Sequence, residues 1–195
     1  MQVTEQRYYT PEEYLELETV AELRSEYYQG QIFPMPGGTP NHNRIAGNFY
    51  AALNFALKKQ PFDAFMNDMR LWIPKTRLYT YPDVMVVAGK LELAPGRKDT
   101  ITNPVMIAEV LSPSTEEYDK VGKFQLYRSI PTLREYILIS QTEVYAEQYS
   151  KIEDNKWLFS EYEGDAVLTL ASVPFQIPLP ELYDKVEFKL ETITE

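Results

Sequence analysis

Residues 105–111 read VMIAEVL, a nearly continuous apolar run with a single carboxylate inside it. A run of this kind, without polar alternation, fits a central strand covered on both faces. Glu109 is the anomaly, because a carboxylate between apolar layers is costly unless it is paired, protonated or bound to a cation. The segment therefore predicts a layered α/β fold with a mixed α+β sheet and a compensating partner for Glu109.

The neighbouring sequence supports that architecture. Tyr118–Ser129 suits a helix, Pro131 stops it, and Glu135–Ile139 (EYILI) suits a second buried strand, so the order strand, helix, strand implies a crossover. Upstream, Thr10 followed by Pro11, Glu12 and Glu13 reads as a helix start. A second stretch through Leu23, Glu26 and Tyr27 continues this N-terminal helical segment to Gly30, and Ile32 and Phe33 follow as a strand. Asn41 opens a helix carrying Ile45, Phe49, Leu53 and Leu57. Phe65–Ile73 and Thr80–Val87 read as two strands of a hairpin, and residues 88–100 as a surface loop. Val144–Tyr149 and Trp157–Tyr162, around Asp154 and Asn155, read as a C-terminal hairpin on the sheet edge, with Ile177–Tyr183 packing back across the core. The acidic last residues read as frayed. With no repeat or linker in 195 residues, the expectation is one domain over 1–195.

Composition narrows the chemistry. The chain has no cysteine and one histidine, His42. That excludes thiolate metal sites and thiol catalysis, and leaves little for a His-rich metal site or a Ser-His-Asp triad. Oxygen ligands and carboxylate chemistry remain. The formal net charge of −10 repels nucleic acid in bulk, so a nucleic-acid partner requires a local basic patch, for which Arg70, Lys75, Arg77, Arg97 and Lys98 are the candidates. No apolar run is long enough to span a bilayer and the start, MQVTEQRYYT, lacks a signal-peptide pattern, so the expectation is a cytoplasmic protein with no membrane partner.

A second carboxylate stands out in Pro82-Asp83, just before the apolar VMVV. If the strands are neighbours, Asp83 and Glu109 converge on one hard cation such as magnesium, which activates a water and stabilises charge on a phosphate. Read singly, Asp83 also fits a turn residue and Glu109 one half of a structural ion pair. Asp119, Lys123 and Tyr127, spaced four apart, share one helix face, which also suits an ordinary Asp119–Lys123 salt bridge with Tyr127 packing beneath. His42 fits either a phosphate contact or a helix cap. Ser112, Ser114 and Thr115 read as turn and cap residues.

The succession of Glu26, His42, Pro82-Asp83, EVLSPST over 109–115, Asp119, Lys123, Tyr127 and Glu135-Tyr136 resembles the Uma-two family of restriction-type endonucleases, formerly a domain of unknown function, in the PD-(D/E)XK nuclease superfamily. The resemblance runs from Tyr9 to Tyr183. It implies a restriction-endonuclease-like core with flanking helices. In that core Asp83 and Glu109 bind a divalent cation, magnesium or manganese, and Glu26 completes or borders the acidic cluster. The superfamily lysine falls two positions after the acid, but here that position is Leu111. The resemblance suggests a lysine moved to the following helix, Lys123 first and Lys120 second. The implied function is metal-dependent endonucleolytic hydrolysis of DNA, with Glu26, Asp83, Glu109 and Lys123 as the catalytic set. Two other readings stand beside it: an inactive nuclease-like protein that binds nucleic acid or protein, and an assembly protein that dimerises through the tyrosine-rich hairpin. The expected partners are DNA and a second copy of the chain in a homodimer.

Overall fold

A computed structural model describes residues 7–35, 37–112 and 116–188. Helix α1 (Pro11–Val20) begins where the sequence places it, with Thr10 and Glu13 bonding each other's backbone N–H in a reciprocal cap. The stretch read as its continuation is instead strand β1 (Ser25–Tyr28), paired in a tight hairpin with β2 (Gln31–Pro34). The turn residues Gln29 and Gly30 both have positive φ, the geometry that suits a two-residue hairpin. Tyr27 drives the strand choice: it is buried in a cluster with Tyr14 and Tyr79, which a helical continuation would not place together. Glu26 therefore sits on a strand, not on a helix.

Helix α2 (Pro40–Ala56) is capped by Thr39 rather than Asn41, with Pro40 in the first turn. The two strands expected over 65–73 and 80–87 each divide. β3 (Phe62–Met66) and β4 (Arg70–Ile73) are separated by a turn in which Asn67 has positive φ. β5 (Leu78–Thr80) and β6 (Val84–Ala88) are separated at Pro82, which lacks the N–H that a continuous ladder would use. The halves enter different sheets. With β7 (Thr100–Ile101), the first sheet runs β2-β1-β5-β4-β7.

The second sheet is built on β8 (Pro104–Leu111), the VMIAEVL strand. β8 lies between β6, antiparallel, and β9 (Glu135–Ser140), parallel, and the sheet continues through β10 (Tyr145–Glu153) to the edge strand β11 (Lys156–Glu163), with β3 on the other side. The expected hairpin and crossover are thus present. The crossover helix is not a regular one: a π-helical turn (Tyr118–Lys123) precedes a single α turn, α3 (Phe124–Tyr127). A small sheet of β12 (Val167–Thr169) and β13 (Gln176–Pro178), then α4 (Leu179–Leu182), closes the described chain, and Ile177, Leu179 and Leu182 pack into the core as expected. Ser114, Thr115 and the acidic end, 189–195, lie outside the described residues.

The period-2 alternation of β8 sets its two faces. Met106, Ala108 and Val110 pack with Ile45, Phe49 and Leu53 of α2, whereas Ile107 and Leu111 pack with Tyr127, Tyr136 and Leu138. Glu109 belongs to the second face, beneath the π-helical turn. Leu111, in the usual lysine position, is buried packing on that face. Among the described residues no helix is long and apolar enough to cross a membrane.

Candidate active site

Where β6 and β8 run side by side, their two anomalous carboxylates are fixed against each other by backbone. The Asp83 N–H donates to Glu109 Oε2 at 3.3 Å, and the Val110 N–H donates to Asp83 Oδ2 at 2.8 Å. The His42 Nε2 also meets Asp83 Oδ2 at 3.2 Å, brought there from the first turn of α2. The other Glu109 oxygen, Oε1, accepts from Lys123 Nζ at 3.1 Å and from the Tyr127 hydroxyl at 2.7 Å. The compensating partner that the strand required is therefore an ammonium and a phenol from the crossover.

Lys123 serves more than one acid. Its Nζ is also 3.0 Å from Asp119 and 3.8 Å from Glu26, whose carboxylate accepts the Thr80 hydroxyl. Burial alone would favour the neutral amine, but Glu109, Tyr127, Glu26 and Asp119 together hold the proton and raise the lysine well above its ordinary range. Glu109 is only 3% exposed. Burial, aided by the charges of Asp83 and Asp119, pushes its carboxyl up to about 8 against the opposing pull of Lys123 and the Tyr127 hydrogen bond. Burial also pushes Tyr127 far above the phenol range, so it remains a donor. His42 is opposed by burial, yet its bond to Asp83 and the charges of Asp83, Glu109 and Asp119 raise it above 6.5.

These groups face a cavity of about 710 Å³, lined by Glu26, His42, Asp83, Glu109, Asp119 and Lys123 on one part. Its remaining wall includes Arg24, Tyr28, Phe33, Tyr81, Tyr118 and Gln141. All four residues expected to form the site thus line one cavity. Lys120 does not: it bridges Glu116 and Glu147, each at 3.0 Å, beside a smaller cavity. The expected basic patch is not at this cavity either. Arg70 is buried, donating to Tyr81 Oη at 2.8 Å, Arg97 pairs with Asp99 at 2.7 Å, and Arg77 donates to the Tyr27 hydroxyl. None of Arg70, Lys75, Arg77, Arg97 and Lys98 lines it.

The residue types and positions fit a hard cation at two carboxylates. Asp83 Oδ1 carries no hydrogen bond among the described residues, and Glu109 Oε2 has only the long one from Asp83 N. Among the described residues no three His, Cys, Asp or Glu side chains form a group able to hold a metal. The expected three-acid ligand set with Glu26 is therefore not assembled, because Glu26 is turned to Thr80 and Lys123. Two carboxylates completed by water and substrate oxygens suit magnesium, which retains several waters.

Sequence reasoning missed Arg24, Phe33, Tyr118 and Gln141. Gln141 had a readable signal: it follows β9, the parallel neighbour of β8, and ligands of such sheets gather at the carboxyl ends of parallel strands. Its Oε1 accepts from Thr39 Oγ1, while its buried Nε2 has no partner among the described residues.

A family model described as "Putative restriction endonuclease", Uma2, matches residues 11–180. The chain belongs to this family. It is 42% identical over 156 residues to the uncharacterized protein sll1609 of Synechocystis sp. (strain PCC 6803), covering 80% of this chain and 88% of that one. A second protein of that organism, the uncharacterized slr1290, is 36% identical over 181 residues, or 92% and 93% of the two chains. The fold matches a crystal structure from Anabaena variabilis described as a putative nuclease belonging to DUF820. The TM-score is 0.72 at 21% identity, over 90% of this chain and 98% of that one.

Proposed function

We propose that this chain is a single-domain, cytoplasmic, metal-dependent endonuclease that hydrolyses DNA phosphodiester bonds at the Asp83, Glu109 and Lys123 cluster. The observation that carries the reading is the convergence of two backbone-fixed carboxylates and a buried ammonium in one cavity, within a family described as "Putative restriction endonuclease". Asp83 and Glu109 would hold magnesium or manganese, which when bound polarises the phosphate and lowers the pKa of a coordinated water.

The protein's own groups do the rest. Lys123 keeps its proton and offers positive charge where a phosphate gains negative charge, and its buried setting makes that charge effective. Tyr127 orients Glu109 through Oε1, leaving Oε2 toward Asp83. Glu26 borders the acidic cluster and steadies Lys123 from the β1 side. His42 meets Asp83 at the rim, a contact that raises its pKa against the opposing effect of burial.

The test is incubation of supercoiled, linear and single-stranded DNA with magnesium or manganese, using the parent, Asp83→Ala and Lys123→Ala purified identically. Loss of cleavage in both variants supports the reading, and cleavage that persists in Asp83→Ala refutes it.

The same reading includes a homodimer through edge strand β11. Leu158 and Phe159 are exposed there, and the strand reads KWLFSEYE. Antiparallel pairing of this edge strand with its copy in a second chain extends the sheet across a two-fold axis. Sedimentation checks this: a monomer at micromolar concentration overturns it.

A further inference from the structure

We infer that the cavity takes one unpaired nucleotide, from a single strand or flipped out of a duplex, with its base against the aromatic wall at Phe33 and Tyr118 and its phosphate toward Lys123. This rests on the nuclease reading and specifies the form of its substrate. Three observations carry it. The first is depth. Glu109 and Lys123 are 3% and 9% exposed, whereas Phe33 and Tyr118, lining the same cavity, are 44% and 39% exposed. The reacting groups thus lie deeper than the two rings in the same cavity.

The second is size and charge. A cavity of about 710 Å³ belongs to the range of small-molecule sites, large enough to enclose one nucleotide and not a stacked helix. Binding along an intact duplex draws most of its sequence-independent affinity from Lys and Arg side chains that neutralise phosphates. Among the described residues Glu26, Asp83, Glu109 and Asp119 face the cavity with only Arg24 and Lys123 as permanently charged cations. Arg24 is itself engaged by Asp68 and lies over the Tyr81 ring at 5.2 Å.

The third is the chemistry of the wall. Phe33 sits on β2 at the edge of its sheet and shows a bare ring to the cavity, and Tyr118 lies near Lys123, whose Nζ is 5.7 Å from the ring centre. A splayed base stacks on such rings whatever its identity, while a paired base has both faces already covered. Gln141, whose buried Nε2 has no partner among the described residues, also lines this cavity.

The test uses a 2-aminopurine oligonucleotide in three forms: single strand, perfect duplex, and duplex with the probe in a one-base bulge. The parent, Phe33→Ala and Phe33→Trp are compared, and binding is read by fluorescence quenching without metal and cleavage with manganese. The inference expects quenching with the single strand and the bulge but not the perfect duplex. It expects affinity about tenfold weaker in Phe33→Ala and restored in Phe33→Trp. In cleavage, the Phe33→Ala effect falls on KM with kcat nearly unchanged. Equal quenching by the perfect duplex, or none in any form, overturns it. Unchanged affinity in Phe33→Ala also overturns it. Quenching as expected with no cleavage of any form supports the nucleotide pocket and overturns the nuclease reading instead.

Discussion

Replacing Lys123 by methionine removes the ammonium that Glu109, Asp119 and Glu26 share at 3.1, 3.0 and 3.8 Å. With an effective dielectric of about 20, each contact corresponds to roughly 4–6 kcal/mol before desolvation is subtracted. Deleting one partner of such a buried group costs about 3–5 kcal/mol net. Glu109 decides where in that range the loss falls. Burial already pushes its folded-state pKa from 4.5 up to about 8, so between those values the folded protein holds a proton the unfolded chain has released. Stability from this group is therefore full below 4.5 and declines as pH rises through about 8. Without the ammonium that upper limit moves higher, so Lys123→Met costs most in alkaline buffer and least in acid, where Glu109 can protonate. Urea unfolding at about pH 5 and about pH 9 reads this as a midpoint shift that grows with pH. Adding Glu109→Gln to Lys123→Met recovers part of the loss, since the orphaned charge is gone. A loss below about 1 kcal/mol at both pH values, the size of an exposed pair, would refute the reasoning.

Other consequences are equally direct. His42, the chain's only histidine, titrates above 6.5 in the metal-free protein by NMR, and the ion pair's stabilisation is lost as pH rises through that raised value; Asp83→Asn lowers it, and a parent titration at or below 6.5 contradicts the contact. Magnesium or manganese at about 100 times its dissociation constant stabilises the parent by about 2.7 kcal/mol in thermal unfolding, and the gain disappears in Asp83→Ala. At a fixed metal concentration the gain increases as pH rises through about 8, because Glu109 must ionise to bind the cation; a shift that is flat with pH argues against Glu109 as a ligand. Tyr127→Phe removes a buried donor from Glu109 and destabilises the fold by about 1–3 kcal/mol, measured by denaturant melting.

What the sequence made legible was what burial writes into pattern. The apolar run of β8, its crossover to β9, and the β10–β11 hairpin are all visible because the two faces of each strand impose a composition. The need for a partner at Glu109 was legible for the same reason. β1 was not: Ser25–Tyr28 follows a glutamate-rich helix, and only Tyr14 and Tyr79, distant in sequence, make Tyr27 a strand residue. The division of 65–73 and 80–87 between two sheets turned on Asn67 and Pro82, turn signals inside otherwise strand-like runs. The π-helical turn was invisible because Asp119 and Lys123 stand four apart whether the turn is α or π, although such turns often occur at functional sites. The place of the basic residues was equally hidden, since Asp99 and Tyr81, which engage Arg97 and Arg70, carry no local mark of that role.

The central claim, that Asp83, Glu109 and Lys123 form a metal-dependent phosphodiesterase centre, is tested most directly by one rate. It is manganese-dependent cleavage of a single-stranded oligonucleotide by Glu109→Gln beside the parent, both shown to be folded. The account predicts a fall of about 100-fold or more, since the variant loses a charged ligand and the anchor of Lys123 while keeping the side-chain shape. Equal rates in the two proteins would contradict it.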